Sequence, residues 1–159
     1  MAEGELHLAD ENAVAALAAA LAPALGEEGG VVHLHGDLGA GKTTFARALI
    51  AALGVTGRIK SPTYSLIESY RAGGLAIHHL DLYRIADAGE LEWLGLDEIA
   101  DGRSLILVEW PERGGSALPR PDLVLEFAYA PVGRRLSLAP HSPRGRSWLA
   151  ATSALHSVA

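Results

Sequence analysis

The chain has 159 residues, 49% of them hydrophobic and 20% charged, with a formal charge of −6 from 19 acids against 13 bases. That balance suits one folded domain spanning residues 1–159 and excludes an all-over electrostatic grip on nucleic acid or anionic membrane, which needs a basic face. The absence of cysteine excludes disulfides, thiolate metal sites and cysteine nucleophiles.

The first predicted element is a helix. Val14, Leu17, Leu21 and Leu25 recur at helical spacing, with Asp10 and Asn12 as candidate N-caps and Gly26 as a candidate stop. The apolar run Ala13–Leu25 is interrupted by Pro23 and is shorter than the roughly 20 residues of a membrane helix. Glu3 and Glu5 stand where a signal peptide carries bases, so the expectation is a cytoplasmic protein. Val31–His35 reads as a buried strand and Lys42–Leu53 as a helix ended by Gly54. Tyr64–Tyr70 and Leu75–Leu80 flank Ala72-Gly73-Gly74, a hairpin signal. Ala88–Leu94 and Leu96–Ala100 read as helical, and Leu105–Glu109 as a continuous apolar strand ending in an acid. Pro111–Pro121 is a loop. Leu123–Tyr129 and Arg135–Leu138 predict a second hairpin, turning near Pro131-Val132-Gly133. Residues from about 140 to 159 form a terminal helix or a tail. This alternation of helix and strand predicts an α/β fold.

Gly36-Asp37-Leu38-Gly39-Ala40-Gly41-Lys42-Thr43 fits G-x-x-x-x-G-K-[ST], entered by a strand and left by a helix, with Thr44 following. Glycines let the backbone curl so that successive N–H groups face one anion, and the helix adds its positive dipole end. Lys42, one of only two lysines, can span the β- and γ-phosphates, and the Thr43 hydroxyl can hold Mg²⁺. Hydrolysis also needs an acid on the metal and a way to place the attacking water. Two strands end in acids, Leu75–Asp81 and Leu105–Glu109. Either carboxylate could reach Mg²⁺ directly or through water while the other orients the nucleophile. Arg58–Tyr64 follows the first post-loop helix, where a Thr63 hydroxyl could meet metal or γ-phosphate. His33 and His35 share one strand face and His78 and His79 point to opposite faces; all four read as structural histidines, lacking further ligands at metal spacing. Trp93, Trp110 and Trp148 read as core or interface residues.

In this order and spacing, His35–Phe45 (HGDLGAGKTTF), Ser61–Tyr64 (SPTY), His79–Arg84 (HLDLYR), Glu90–Gly95 (ELEWLG) and Glu109–Glu112 (EWPE) resemble the TsaE family of bacterial ATPases. The resemblance implies a three-layer P-loop NTPase fold with a mixed, mostly parallel central sheet plus β-hairpins. It implies weak, Mg²⁺-dependent ATP hydrolysis in the synthesis of tRNA threonylcarbamoyladenosine. The partners it implies are TsaB and TsaD, with tRNA reached indirectly through that assembly. TsaD transfers the threonylcarbamoyl group to the adenosine beside the anticodon, and the TsaE-like member resets or activates the assembly. Carried over by position, Asp37, Leu38, Gly39, Ala40, Gly41, Lys42, Thr43 and Thr44 hold the nucleotide. Thr63 lies in a switch-like loop, Asp81 is the metal-side acid and Glu109 the Walker-B-like acid, and Trp110 sits near the nucleotide or an interface. Val14 stands where family members often carry threonine, which leaves base recognition open.

Two further features bear on function. Residues 81–101 hold seven acids against Arg84 alone, a candidate docking face for a partner. Arg134, Arg135, Arg144 and Arg146 could imitate the lid of a small P-loop kinase, the alternative reading.

Overall fold

A computed structural model describes residues 4–59 and 66–156. The strands are β1 (Gly4–Leu8), β2 (Gly30–Gly36), β3 (Ile67–Ala72), β4 (Leu75–Asp81), β5 (Leu105–Glu109), β6 (Leu123–Tyr129) and β7 (Arg134–Pro140). They form one sheet in the order β1-β7-β6-β2-β5-β4-β3. The four adjacent strands β6, β2, β5 and β4 are parallel. The β3–β4 and β6–β7 pairs are antiparallel hairpins, as expected, and β1 pairs antiparallel with β7.

The helices are α1 (Glu11–Glu28), α2 (Lys42–Ala52), α3 (Leu96–Ile99), α4 (Pro143–Ala150) and α5 (Ser153–His156). Strand alternation sorts the core into two layers. Val32, Leu34, Leu105, Leu107, Leu123 and Leu125 pack with Leu17 and Leu21 of α1, Phe45 and Leu49 of α2, and Trp148 of α4. Val31, Leu80, Ile106 and Val108 face the opposite side, against Leu91, Leu96 and Leu118. Leu17 and Leu21 are fully buried, each stabilising the fold by about 2 kcal/mol.

α1 begins where expected, with Asp10 accepting from the Ala13 N–H at 2.9 Å. It runs past the anticipated stop at Gly26 and ends at Gly29, which has φ 75°. Gly26 instead lies inside α1, where a Cβ would stand 3.3 Å from the side chain of Leu53, the residue after α2. Ala88–Leu94 forms a 3₁₀ helix, not the α-helix its pattern suggested. Asp87 and Glu90 build a capping box, only Leu91 is buried, and Gly95 at φ 67° ends the segment. The terminal segment folds as α4 and α5, with Trp148 in the core. The Ser142 hydroxyl accepts from the Gly145 N–H and donates to Asp122, whose other oxygen accepts from the Val31 N–H.

His33 is largely buried and donates from Nε2 to the Pro119 carbonyl at 3.2 Å. Burial lowers its pKa from 6.5 to about 4. Its neutral form therefore contributes stability that is full above pH 6.5 and is lost as pH falls toward 4, amounting to about 3 kcal/mol. In denaturant melts, His33→Gln should lose less stability than wild type between neutral pH and pH about 4. Equal losses in the two proteins would show that another group governs the acid limb.

Candidate nucleotide site

β2 delivers the chain into the glycine loop. Gly36 has φ 144°, and a Cβ there would stand 2.7 Å from the Phe127 carbonyl oxygen of β6; only glycine fits. Gly41, at φ 117°, leads into α2 with no side-chain cap, so the first-turn N–H groups are available to an anion. The loop is braced from the β6–β7 hairpin. Tyr129 donates to the Leu38 carbonyl at 2.5 Å and Arg134 to the Gly39 carbonyl at 3.3 Å. The Arg134 guanidinium stacks 4.8 Å from the Tyr129 ring centroid.

Lys42 is 4% exposed. Its ammonium donates to the Gly36 carbonyl and to the Asp37 carbonyl, and lies 3.6 Å from the centre of the Trp110 ring. Burial lowers its pKa, opposed by the carboxylates of Glu109, Glu112, Asp81 and Asp37. Trp110 adopts φ 57° directly before Pro111. Left-handed backbone at a bulky residue costs about 1–3 kcal/mol. Packing holds it there: the Tyr83 ring lies 4.9 Å away, with Arg113 beside both rings.

The two strand-end acids are direct register partners, Asp81 opposite Glu109 across the parallel β4–β5 pair. Glu109 is 2% exposed. Its Oε1 accepts from the Thr43 hydroxyl at 2.7 Å and its Oε2 lies 2.6 Å from His79 Nε2. Burial holds the Asp81 carboxyl above the usual carboxylate range, opposed by a hydrogen bond from the Tyr83 N–H and reinforced by the charge of Glu109.

A cleft of about 350 Å³ joins these groups, lined by Leu38, Gly39, Gly41, Lys42, Thr43, Thr44, Asp81, Tyr83, Arg84, Glu109 and Trp110. Asp37 and Ala40 lie on the same loop, linked by a 3.0 Å backbone hydrogen bond, with Ala40 buried beneath it. Thr63 lies outside the described residues. Thr43, Asp81 and Glu109 bring hard oxygen donors to one place. Among the described residues no group of three or more His, Cys, Asp or Glu side chains could hold a metal by itself. The donor set thus fits a cation such as Mg²⁺, which retains waters and shares phosphate oxygens.

The TsaE family model, described as threonylcarbamoyl adenosine biosynthesis protein TsaE, matches residues 8–136. The chain belongs to the TsaE family. Among TsaE relatives, the Haemophilus influenzae tRNA threonylcarbamoyladenosine biosynthesis protein is 41% identical over 123 residues, 77% of this chain and 78% of that one. The Bacillus subtilis protein of the same name is 38% identical over 139 residues, 81% and 84% of the two chains. The crystal structure of B. subtilis YdiB superposes with a TM-score of 0.80 at 31% identity, covering 97% of each chain. The three-layer P-loop fold expected of a TsaE chain is therefore present. No helix among the described residues is long and apolar enough to cross a membrane.

Several contributors escaped the sequence reading. Tyr83 and Arg84 line the cleft; they belong to the HLDLYR motif, whose local chemistry does not assign them a role. The brace by Tyr129 and Arg134 carries no local sequence signal, because it depends on β6 pairing with β2. His79, expected to be a structural histidine, bonds directly to Glu109; the His-x-Asp spacing, which puts it on the same strand face as Asp81, was the available clue. Of the four arginines of the alternative reading, Arg134 and Arg135 stand on β7 and Arg144 and Arg146 on α4. Arg135 pairs with Glu5 and Arg144 with Glu28, each at 3.4 Å, while Arg134 serves the loop.

Proposed function

We propose that this chain is a Mg²⁺-dependent ATPase of tRNA threonylcarbamoyladenosine synthesis, working in the cytoplasm on the TsaB–TsaD transferase assembly without performing the transfer. The observation that carries the reading is the Thr43–Glu109 hydrogen bond. It joins the phosphate loop to a strand-end acid inside the cleft that also holds Lys42 and Asp81. In this reading the backbone of residues 37–41, with Lys42 and Thr44, cradles the phosphates. Thr43, Glu109 and Asp81 serve Mg²⁺ directly or through water, and Thr63 senses the γ-phosphate. Trp110 covers the Lys42 side of the cleft. The metal supplies charge neutralisation at the phosphates when bound. The protein's residues orient the nucleotide and place a water for attack.

Reconstituted tRNA modification with TsaB and TsaD tests the proposal. Adding this protein and ATP should raise the number of turnovers, with release of ADP and free phosphate and no phosphorylated acceptor. No stimulation, or stimulation that persists without nucleotide, would overturn it.

The acidic stretch is the docking face in this reading. Trp93 is 90% exposed, and Glu92, Asp97 and Glu98 on the same stretch are exposed too. Glu90 is already committed, accepting from the N–H groups of Ala86 and Asp87. Replacing Glu92 and Glu98 together by arginine should weaken binding to TsaB–TsaD at least about tenfold, most of it through the association rate. Nucleotide affinity and thermal stability should stay unchanged. An unaltered partner affinity, measured by calorimetry, would remove this face from consideration.

A further inference from the structure

We propose that His79 is a positioning residue for Glu109, fixing the carboxylate in the orientation that serves the phosphate loop. The inference deepens the ATPase reading and rests on it for its kinetic consequence. His79 is fully buried in the middle of β4. Its inward neighbour two residues earlier on the strand is the buried Ile77, so an apolar side chain would suit the position as packing. An imidazole there carries a desolvation cost unless it is hydrogen-bonded. The bond it makes is to Glu109 Oε2, at 2.6 Å.

The sheet explains why these two side chains meet. β4 and β5 are parallel, with His79 beside Leu107 and Asp81 beside Glu109. Positions two apart on a strand share a face. His79, Asp81 and Glu109 therefore all lie on the α2 side, and His79 reaches Glu109 along the diagonal.

The chemistry follows from what a carboxylate needs to stay put. The terminal torsion of a glutamate side chain is broad and roughly two-fold, so packing alone does not fix its oxygens. Here each oxygen has its own donor: Thr43 Oγ1 on Oε1 and His79 Nε2 on Oε2. Glu109 accepts, so Nε2 carries the proton. His79 Nδ1 has no hydrogen-bond partner among the described residues, so the contact with Glu109 is what anchors the ring there. When the Thr43 hydroxyl turns to another ligand, His79 is the donor that still holds the carboxylate. Its removal should therefore cost turnover and leave nucleotide affinity nearly intact.

The test uses the full chain with TsaB–TsaD and three variants. In His79→Leu the donor is lost at similar volume. In His79→Asn an amide remains but stops short of Glu109. In His79→Gln the amide nitrogen reaches the place of Nε2. His79→Leu and His79→Asn should lower kcat at least about tenfold with KM and ADP affinity within about twofold, and His79→Gln should restore kcat to within about threefold of wild type. Crystal structures give a readout independent of turnover: the Glu109 carboxylate should leave the Thr43 hydroxyl in His79→Leu and keep it in His79→Gln. The proposal is overturned if folded His79→Leu keeps wild-type kcat, if kcat and nucleotide affinity fall together in all three variants, or if Glu109 holds its place on Thr43 without the imidazole. A wild-type protein without ATP turnover would defeat the ATPase reading, while the crystal structures would still decide the positioning.

Discussion

Lys42→Ala should weaken ATP binding by about a hundredfold or more. The ammonium sits where the glycine loop closes, held by the Gly36 and Asp37 carbonyls and by the face of Trp110. Those contacts keep the cation inside the cleft before any phosphate arrives, so its entropy of ordering is largely met in advance. A charge-assisted hydrogen bond contributes about 1.5–3 kcal/mol, and each 1.4 kcal/mol is about tenfold in affinity. Removal of the cation also leaves Glu109, Asp81 and Asp37 facing the phosphates without a counter-charge. Calorimetric titration with ATP and Mg²⁺ reads the loss, and thermal melts check that the fold survives. Affinity within about threefold of wild type would show that the loop binds something other than phosphate.

Glu109→Gln should separate binding from turnover. The amide keeps the shape of the side chain and a hydrogen bond to Thr43, but loses the charge. Nucleotide affinity should stay within about threefold, while kcat falls by about a hundredfold or more, the range expected when a group acts chiefly in the transition state. Single-turnover measurements distinguish slow chemistry from slow release. Equal losses in affinity and rate would make Glu109 a binding residue only. Glu109 and His79 share one hydrogen bond, so their effects should not add: the double variant Glu109→Gln, His79→Leu should be little slower than Glu109→Gln alone. Additive losses would mean that the two act separately.

Much of this architecture was readable from local chemistry. The glycine loop, its entering strand and its leaving helix follow from residue type and spacing alone. Leu105–Glu109 is a continuous apolar run because β5 is covered on both faces and flanked by β2 and β4. Both hairpins follow from glycine at the turn. Features that depend on partners distant in sequence were less accessible. β1 is five residues long, and its only pattern is Leu6 alternating with Leu8; pairing with β7 makes it a strand. Gly26 looked like a helix stop because glycine often is one, whereas it lies inside α1, where a side chain would crowd Leu53. The Ala88–Leu94 pattern could not reveal the 3₁₀ geometry, since a segment that buries only Leu91 gains little packing to hold it as an α-helix. At the site, both acids and the lysine were legible as residues. Their shared place at the site was expected as well; the bonds of Glu109 to Thr43 and to His79 were not, because they depend on strand register and on how β5 meets α2.

The strand order also sets when the site can exist during synthesis. β2, which bears the phosphate loop, lies between β5 and β6, both made much later. Thr43 and Glu109 are 66 positions apart in the chain, and the Tyr129–Leu38 bond spans 91. A nascent chain that has emerged only through α2 carries the glycine loop without its acid or its brace. Such long-range closures come late, because loop entropy opposes them until the neighbouring strands can pair. If the proposed ATP site is right, nucleotide should therefore stabilise the nearly completed sheet and do little for a shorter nascent chain.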